Sequence, residues 1–226
     1  MKILLFGATG MVGQGVLREC LRAADVERVV SVGRTATGVA HPKLQELVQP
    51  DLGDLRVVET ELTGFDACFF CLGVSAAGMT EAGYGALNFE LPMSVARMLS
   101  RRNPAMTFVY VSGAGTDGTE RGRVMWARVK GRTENALQQL PFKAVYLFRP
   151  GVIQPLHGAR SKTGSYRWLY ALMKPLLPAL RALFPNTILS TESVGLAMLQ
   201  VARHGAPKAV LEPADLAALG RSHIDV

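Results

Sequence analysis

The chain has 226 residues, 49% of them hydrophobic, which is long enough for one α/β domain that buries a core without covalent staples. It has no apolar run of about eighteen residues or more, so the sequence excludes a transmembrane segment. The net charge of +7 raises nucleic acid as a partner, but the basic residues are spread along the chain and we expect no nucleic-acid binding.

Short apolar segments alternate along the chain with segments of helical periodicity. The predicted strands lie at 2–6, 28–33, 67–73, 106–113, 144–151 and 208–212, with a weaker strand at 46–51. Strands that are apolar on both faces and alternate with helices are typical of a parallel sheet covered on both sides. The sequence therefore predicts a Rossmann-type doubly wound parallel sheet of about seven strands. We expect one domain over 1–226, with a small C-terminal helical cap at about 152–190.

A glycine cluster follows the first predicted strand and precedes a helical segment. Gly7, Gly10 and Gly13 have GxxGxxG spacing. Gly7 permits a tight turn, Gly10 lets the backbone approach a pyrophosphate, and Gly13 lets the helix sit close to the strand. Thr9 and Met11 are expected beside the phosphates. The alternative is a tight turn that binds no ligand.

The residue after the second predicted strand indicates which dinucleotide binds. An NAD-binding chain usually carries Asp or Glu there, to accept a hydrogen bond from the adenosine ribose. Here the residue is Arg34, which cannot accept that bond but pairs well with a 2′-phosphate. The sequence therefore favours NADP(H) over NAD(H), unless Arg34 is only a solvated loop charge.

Cys68 and Cys71 have CxxC spacing inside the apolar run "ACFFCLG". A strand would point them to opposite faces, so we interpret them as buried packing residues and predict no metal site. The three cysteines of the chain give an odd count and no extracellular disulfide framework. This count fits a reducing compartment, and we expect a cytoplasmic protein.

These segments together resemble the short-chain dehydrogenase/reductase superfamily, in its atypical branch of NAD(P)-binding epimerase/dehydratase-like proteins. The resemblance rests on the order and spacing of "GATGMVG" (7–13), "DLGD" (51–54), "CLG" (71–73), Asn88, "YVSGAG" (110–115), "WARVKGRTE" (126–134) and "RPG" (149–151). The "CLG" and "VKGRTE" segments are most similar to a subgroup that includes the Tat-interacting, tumour-suppressor-like reductases. The resemblance implies a small carbonyl or nucleotide-linked substrate.

The resemblance also implies which residues hold the cofactor. Besides the glycine cluster and Arg34, these are Asp51, Leu52, Cys71, Leu72, Gly73, Lys130, Pro150 and Gly151. The first two border the adenine, the next three run past the adenosine ribose, and Lys130 holds the nicotinamide ribose. The last two line the nicotinamide side.

Ser112, Lys130 and Trp126 stand at the catalytic positions of the superfamily, the last of them with a different side chain. The resemblance implies that Ser112 orients a substrate carbonyl, and Asn88 falls where an asparagine often supports Lys130. Trp126 stands where a tyrosine would protonate the substrate oxygen. An indole N–H donates a hydrogen bond but is far too weak an acid for that step.

Two functional hypotheses follow from Trp126. The first is an NADP(H)-dependent oxidoreductase or epimerase-like enzyme that retains Ser112 and Lys130. The second is a non-catalytic NADP(H)-binding protein that senses redox state and signals to a protein partner. The missing phenol separates the two.

Three uses compete for the segment 164–186, which follows the strand predicted at 144–151. It is a lid over the substrate pocket, a subunit contact, or an amphipathic surface that touches a membrane. As a lid it would bring Tyr166 or Tyr170 toward the nicotinamide. His157, in the preceding loop, is a candidate proton donor or a solvated histidine. The sequence leaves the oligomeric state open.

Overall fold

The computed structural model describes residues 1–159 and 186–221. The strands are β1 (Lys2–Phe6), β2 (Arg28–Gly33), β3 (Leu44–Val48), β4 (Ala67–Phe70), β5 (Thr107–Val111), β6 (Ala144–Phe148), β7 (Val152–Gln154), β8 (Ile188–Ser190) and β9 (Val210–Leu211). The helices are α1 (Met11–Arg22), α2 (Glu81–Gly85), α3 (Leu91–Arg102), α4 (Met125–Leu137), α5 (Thr191–His204) and α6 (Pro213–Arg221), with a 3-10 helix at Arg56–Leu62 and a π-helical turn at Ala86–Glu90.

Seven strands form one parallel sheet in the order β3-β2-β1-β4-β5-β6-β9. The order reverses between β1 and β4, the two strands that flank the point where ligands of doubly wound sheets bind. The predicted Rossmann-type fold is confirmed. β7 and β8 form a separate parallel pair.

Helices cover both faces of the sheet because its central strands are apolar on both sides. On β1, Ile3 and Leu5 join the core beneath α1 and α5, whereas Leu4 and Phe6 join the core beneath α3 and α4. Cys68 belongs to the second of these cores, and Cys71 packs against the first. The two cysteines therefore lie on opposite sides of the sheet, as predicted, and burial raises the pKa of both thiols.

Several predicted strands are too long at their carboxyl ends. The strands predicted at 67–73, 106–113, 144–151 and 208–212 end at Phe70, Val111, Phe148 and Leu211, and the weaker strand at 46–51 is displaced to Leu44–Val48. Phe70 is the last residue of β4 because its partner on β1, Phe6, is also the last of its strand. Pro150, which has no N–H to donate, follows the end of β6. The residues beyond these ends leave the sheet and form the candidate site.

The cap predicted at 152–190 is described only at its two ends. β7 and β8 pair there, and Leu156 N donates to Thr191 Oγ1 over 3.1 Å. Residues 160–185, with Tyr166 and Tyr170, lie outside the described residues, so the cap and its three competing uses stay predictions. No described helix combines the length and apolar character that crossing a bilayer requires.

Candidate dinucleotide-binding site

The glycine turn between β1 and α1 is packed so closely that side chains are excluded. Gly7 has φ +81°, and a Cβ atom there would lie 2.7 Å from Leu72 N. A Cβ atom at Gly13 would lie 2.1 Å from Gly7 O. Two of the predicted glycine roles, the tight turn and the close approach of helix to strand, are thus visible in the geometry.

The N-terminus of α1 has no side-chain cap. Gly10 is the N-cap residue of α1, no side chain caps the helix, and its first turn contains no acidic residue. A Cβ atom at Gly10 would meet only Gly7 O, at 3.3 Å. A helix N-terminus with free N–H groups and positive dipole suits an anion. Thr9 and Met11, which flank Gly10, are both partly exposed. The residues present therefore fit a pyrophosphate.

A cavity of about 660 Å³ lies at the carboxyl ends of β2, β3 and β4. It brings together four predicted cofactor residues that are far apart in sequence: Arg34, Asp51, Leu52 and Leu72. Leu52 is buried, and Asp51 Oδ1 accepts a hydrogen bond from Gly53 N over 2.8 Å. An apolar cleft with a cation at its rim is suited to an adenosine that carries a phosphate.

Helix α3 contributes two further arginines to this cavity, Arg97 and Arg101, which the sequence did not single out. Neighbouring arginines are neutralised, since Arg56 pairs with Asp54 and Arg102 with Glu59. Within residues 1–159 and 186–221, neither of the α3 arginines nor Arg34 forms an ion pair. Although Asp51 and Glu90 also line the cavity, its three arginines leave a net positive charge at the rim.

Lys130 and Asn88 converge on the backbone of Gly73. A Cβ atom at Gly73 would lie 3.7 Å from Lys130 Nζ and 3.6 Å from Asn88 Oδ1. Lys130 is only 7% exposed; its ammonium donates to Val111 O over 3.2 Å and lies 5.3 Å from the centre of the Tyr110 ring. Burial lowers the pKa of Lys130 to about 8, although the charge of Glu134 acts in the opposite direction.

Two hydrogen bonds to the backbone carbonyl of Asn88 fix the position of this residue. It lies in the π-helical turn, and its carbonyl accepts hydrogen bonds from Thr133 Oγ1 over 2.7 Å and from the Tyr110 hydroxyl over 3.3 Å. Single π-helical turns occur frequently at functional sites. The side-chain Nδ2 donates to Tyr84 O, but the buried Oδ1 atom has no hydrogen-bond partner among the described residues.

The Trp126 ring lies over a loop of small residues that follows β5. A Cβ atom at Gly113 would be 3.8 Å from Trp126 Cζ3, and one at Gly115 would be 3.8 Å from Cη2. The ring is partly buried against the core beneath α3 and α4. The indole therefore packs beside Gly113 and Gly115 at ordinary contact distance.

Ser112 belongs to a buried polar network rather than to the Lys130 cluster. Its Oγ lies 2.5 Å from Glu134 Oε1 and 3.0 Å from Phe148 O. Glu134 is 1% exposed and is paired with Arg149 Nη2 at 2.5 Å. Glu134 was missed from the sequence, although it lies one helical turn after Lys130 in the segment "VKGRTE".

The remaining predicted cofactor residues contribute backbone more than side chains. Cys71 Sγ lies 4.0 Å from Met198 Sδ, in the core, so only the backbone of this residue can border a ribose. Pro150 O accepts from Ala114 N over 2.9 Å, and a Cβ atom at Gly151 would be 3.2 Å from Thr187 O. These contacts fix the start of the loop that precedes the cap.

A second cavity, of about 770 Å³, runs along α1 and was not predicted. Thr9 and His157 both line it. His157 has φ +54°, and its Nε2 atom lies 2.8 Å from Glu192 Oε2. The candidate proton donor is therefore a half-exposed histidine in contact with a carboxylate, and its role stays a hypothesis.

The reversal of strand order at β1 and β4, the uncapped glycine turn and the cavity at the carboxyl ends of β2, β3 and β4 define a Rossmann-type protein with a site suited to a dinucleotide. The sequence model of the NAD dependent epimerase/dehydratase family matches residues 3–136, and the chain belongs to this family. The resemblance to the atypical short-chain dehydrogenase/reductases is thereby confirmed.

Several solved structures have a similar fold. WbmF from Bordetella bronchiseptica, determined in complex with NAD+, has a TM-score of 0.69 and 15% identity over 96% of this chain and 76% of that one. Pal from Bacillus thuringiensis has a TM-score of 0.70 and 14% identity over 94% and 77% of the two chains. At such identities the likeness concerns the fold alone.

Relatives of similar size occur in fungi. The mitochondrial protein Fmp52-2 of Aspergillus oryzae is 26% identical over 96% of both chains, and its namesake in Aspergillus terreus is 26% identical over 66% of both. Because these relatives are named mitochondrial, the expectation of a cytoplasmic protein is wrong. That expectation rested on the cysteine count, which indicates a reducing compartment but does not say which one.

Proposed function

We propose that the protein is an NADP(H)-dependent oxidoreductase or epimerase-like enzyme that acts on a small carbonyl or nucleotide-linked substrate. One observation carries the proposal: the unpartnered Asn88 Oδ1 and the buried Lys130 ammonium both face Gly73. Leaving a buried polar atom unsatisfied costs about 1–3 kcal/mol, and burying a charged ammonium costs more. A ribose, whose hydroxyls both donate and accept, would compensate both groups at once.

Arg34 supports the phosphorylated form of the cofactor. It is exposed, is not in an ion pair with a described residue, and lines the adenosine cavity beside Leu52. The arginines of α3 add to the positive rim. A guanidinium binds a phosphate through charge-assisted hydrogen bonds. Unlike a carboxylate, it cannot accept a hydrogen bond from the ribose hydroxyl.

In the proposed enzyme the dinucleotide would supply or accept the hydride, and the chain binds and orients it. Gly10 and the first turn of α1 bind the pyrophosphate, Arg34 the adenosine phosphate, and Lys130 the nicotinamide ribose. Trp126 packs beside Gly113 and Gly115 after β5 and offers an N–H donor without an acidic proton.

The test is steady-state oxidation of NADPH by the purified protein in the presence of a panel of small carbonyl compounds and sugar nucleotides, compared with Lys130→Met. The proposal expects turnover in the wild type and its loss in the variant. Tight NADPH binding without turnover would instead favour the second candidate, a non-catalytic redox-sensing protein. Trp126 favours that candidate, because its ring packs against Gly113 and Gly115 where the catalytic phenol is expected.

A further inference from the structure

The carboxylate of Glu134 contacts Ser112 and Arg149. It lies on α4, one turn after Lys130, and accepts from Arg149 Nε over 3.1 Å as well as from Nη2. Ser112 Oγ lies 2.5 Å from the same oxygen, Oε1, that accepts from Arg149 Nε. Arg149 Nη1 also forms an ion pair with Glu212 Oε1 at 3.1 Å.

The Ser112 hydroxyl has one proton and two acceptors within reach. Phe148 O already receives the backbone N–H of Ser112 over 2.8 Å, whereas Glu134 is charged and lies closer to the hydroxyl. Hydrogen bonds to an ionised acceptor are shorter and about twice as strong as neutral ones. The proton of Ser112 therefore belongs to the bond with Glu134.

We infer that Glu134 is the positioning residue of this site: its carboxylate binds the Ser112 hydroxyl proton, so Ser112 cannot donate to a substrate carbonyl, and its charge acts across one turn of α4 on the Lys130 ammonium. The inference rests on the proposed function only where a substrate is concerned. Ser112 then anchors the end of β5 to α4, and a carbonyl oxygen near Lys130 would accept its hydrogen bond from the ammonium rather than from Ser112.

The groups that face Lys130 come from four elements. Glu134 is on its own helix, Tyr110 and Val111 O are on β5, Asn88 is in the π-helical turn, and Gly73 follows β4. Burial raises the pKa of Tyr110, so its phenol stays neutral. Among these groups Glu134 is the one that carries a charge, and it works against the burial that lowers the pKa of Lys130.

The test uses the protein without cofactor, so that it does not depend on the proposed function. Proteins labelled with ¹⁵N-lysine are titrated by NMR, and the signal of the Lys130 ammonium is assigned with Lys130→Arg. Replacing Glu134 by Gln should lower the titration midpoint by about one pH unit, because an opposite charge close by has been removed. Glu212→Gln is the matched control: it removes the other partner of Arg149 and should leave the midpoint unchanged. Equal midpoints in the wild type and a folded Glu134→Gln protein would overturn the electrostatic role.

The Ser112 hydroxyl gives a second readout that survives if Glu134→Gln does not fold. In the wild type its proton should exchange slowly enough with water to be observed by NMR, and should be missing in Ser112→Ala. Addition of NADPH and a carbonyl compound should leave the signal in place. A hydroxyl proton that exchanges at the solvent rate, or that transfers to an added carbonyl compound, would contradict the inference. Failure of NADPH to bind would count against the proposed function and leave both of these results standing.

Discussion

Lys130 Nζ and Asn88 Oδ1 lie on the same side of Gly73, each within 4 Å of the position that a Cβ atom would take there. Lys130 lies on α4 and Asn88 in the π-helical turn before α3, so the packing of these two elements brings the two side chains together. In the isolated protein, the missing hydrogen bond of Asn88 Oδ1 and the burial of the Lys130 ammonium each cost free energy. This arrangement has measurable consequences for stability as well as for binding.

The first prediction concerns pH. Burial lowers the pKa of Lys130 from 10.5 to about 8, so between these two values the unfolded chain binds a proton that the folded chain does not. Unfolding free energy therefore rises with pH in this window, by up to about 3 kcal/mol. Urea denaturation of the wild type and of Lys130→Met at pH 7 to 10.5 should show a gain for the wild type relative to the variant. Parallel curves would show that folding does not lower the pKa of Lys130.

The second prediction concerns the glycine turn. Gly13→Ala should destabilise the protein by about 1–3 kcal/mol and weaken NADPH binding at least tenfold, because the added Cβ would lie 2.1 Å from Gly7 O and must displace α1. Gly85→Ala is the matched control. Gly85 is helical, with nothing within 4 Å of an added Cβ, and alanine there should stabilise by about 0.4–1 kcal/mol. Unchanged NADPH affinity in Gly13→Ala would remove the turn from the binding site.

The third prediction concerns the exchanged catalytic residue. Trp126→Tyr should increase NADPH-dependent turnover of carbonyl compounds by about 100-fold or more, the typical contribution of a general acid. Trp126→Phe keeps an aromatic ring but no acidic proton, and should show no gain. Rates of NADPH oxidation by both variants and the wild type distinguish the enzyme from the non-catalytic protein. Turnover in the tyrosine variant alone supports the non-catalytic protein, and equal rates in both variants would mean that residue 126 does not face the substrate.

The fourth prediction concerns cofactor choice. Arg34→Asp should abolish the preference for NADPH and shift it toward NADH, because a carboxylate repels the 2′-phosphate and accepts from the ribose hydroxyl. Arg121→Asp makes the same charge change in the exposed loop before α4 and should leave the preference intact. If both variants weaken NADPH equally, the effect comes from net charge and not from the adenosine cavity.

The adenosine cavity shows what the sequence could predict. Arg34, Asp51 and Leu72 follow three different strands, and parallel strands bring their carboxyl ends to one edge, so their meeting follows from the fold. The arginines of α3 could not be assigned in the same way. They belong to an amphipathic helix, and its exposed face does not reveal from sequence that it borders a cavity.

The polar network of Glu134 was beyond sequence reasoning for a related reason. Helical spacing relates Glu134 to Lys130, but its contacts with Ser112 and Arg149 depend on how α4 crosses the ends of β5 and β6. The same applies to Trp126, whose packing on Gly113 and Gly115 requires the path of the loop after β5. Motifs indicate which residues reach the edge of the sheet, whereas the tertiary packing decides which of them touch.

The most direct test of the account is calorimetric titration of NADPH and of NADH into the wild-type protein. A 2′-phosphate bound by Arg34 should make NADPH bind about tenfold to a hundredfold more tightly, or about 1.4–2.7 kcal/mol, and the difference should shrink at high salt. Equal affinities or tighter binding of NADH would mean that Arg34 is a solvated loop charge, and absence of binding by either dinucleotide would contradict the proposed site altogether.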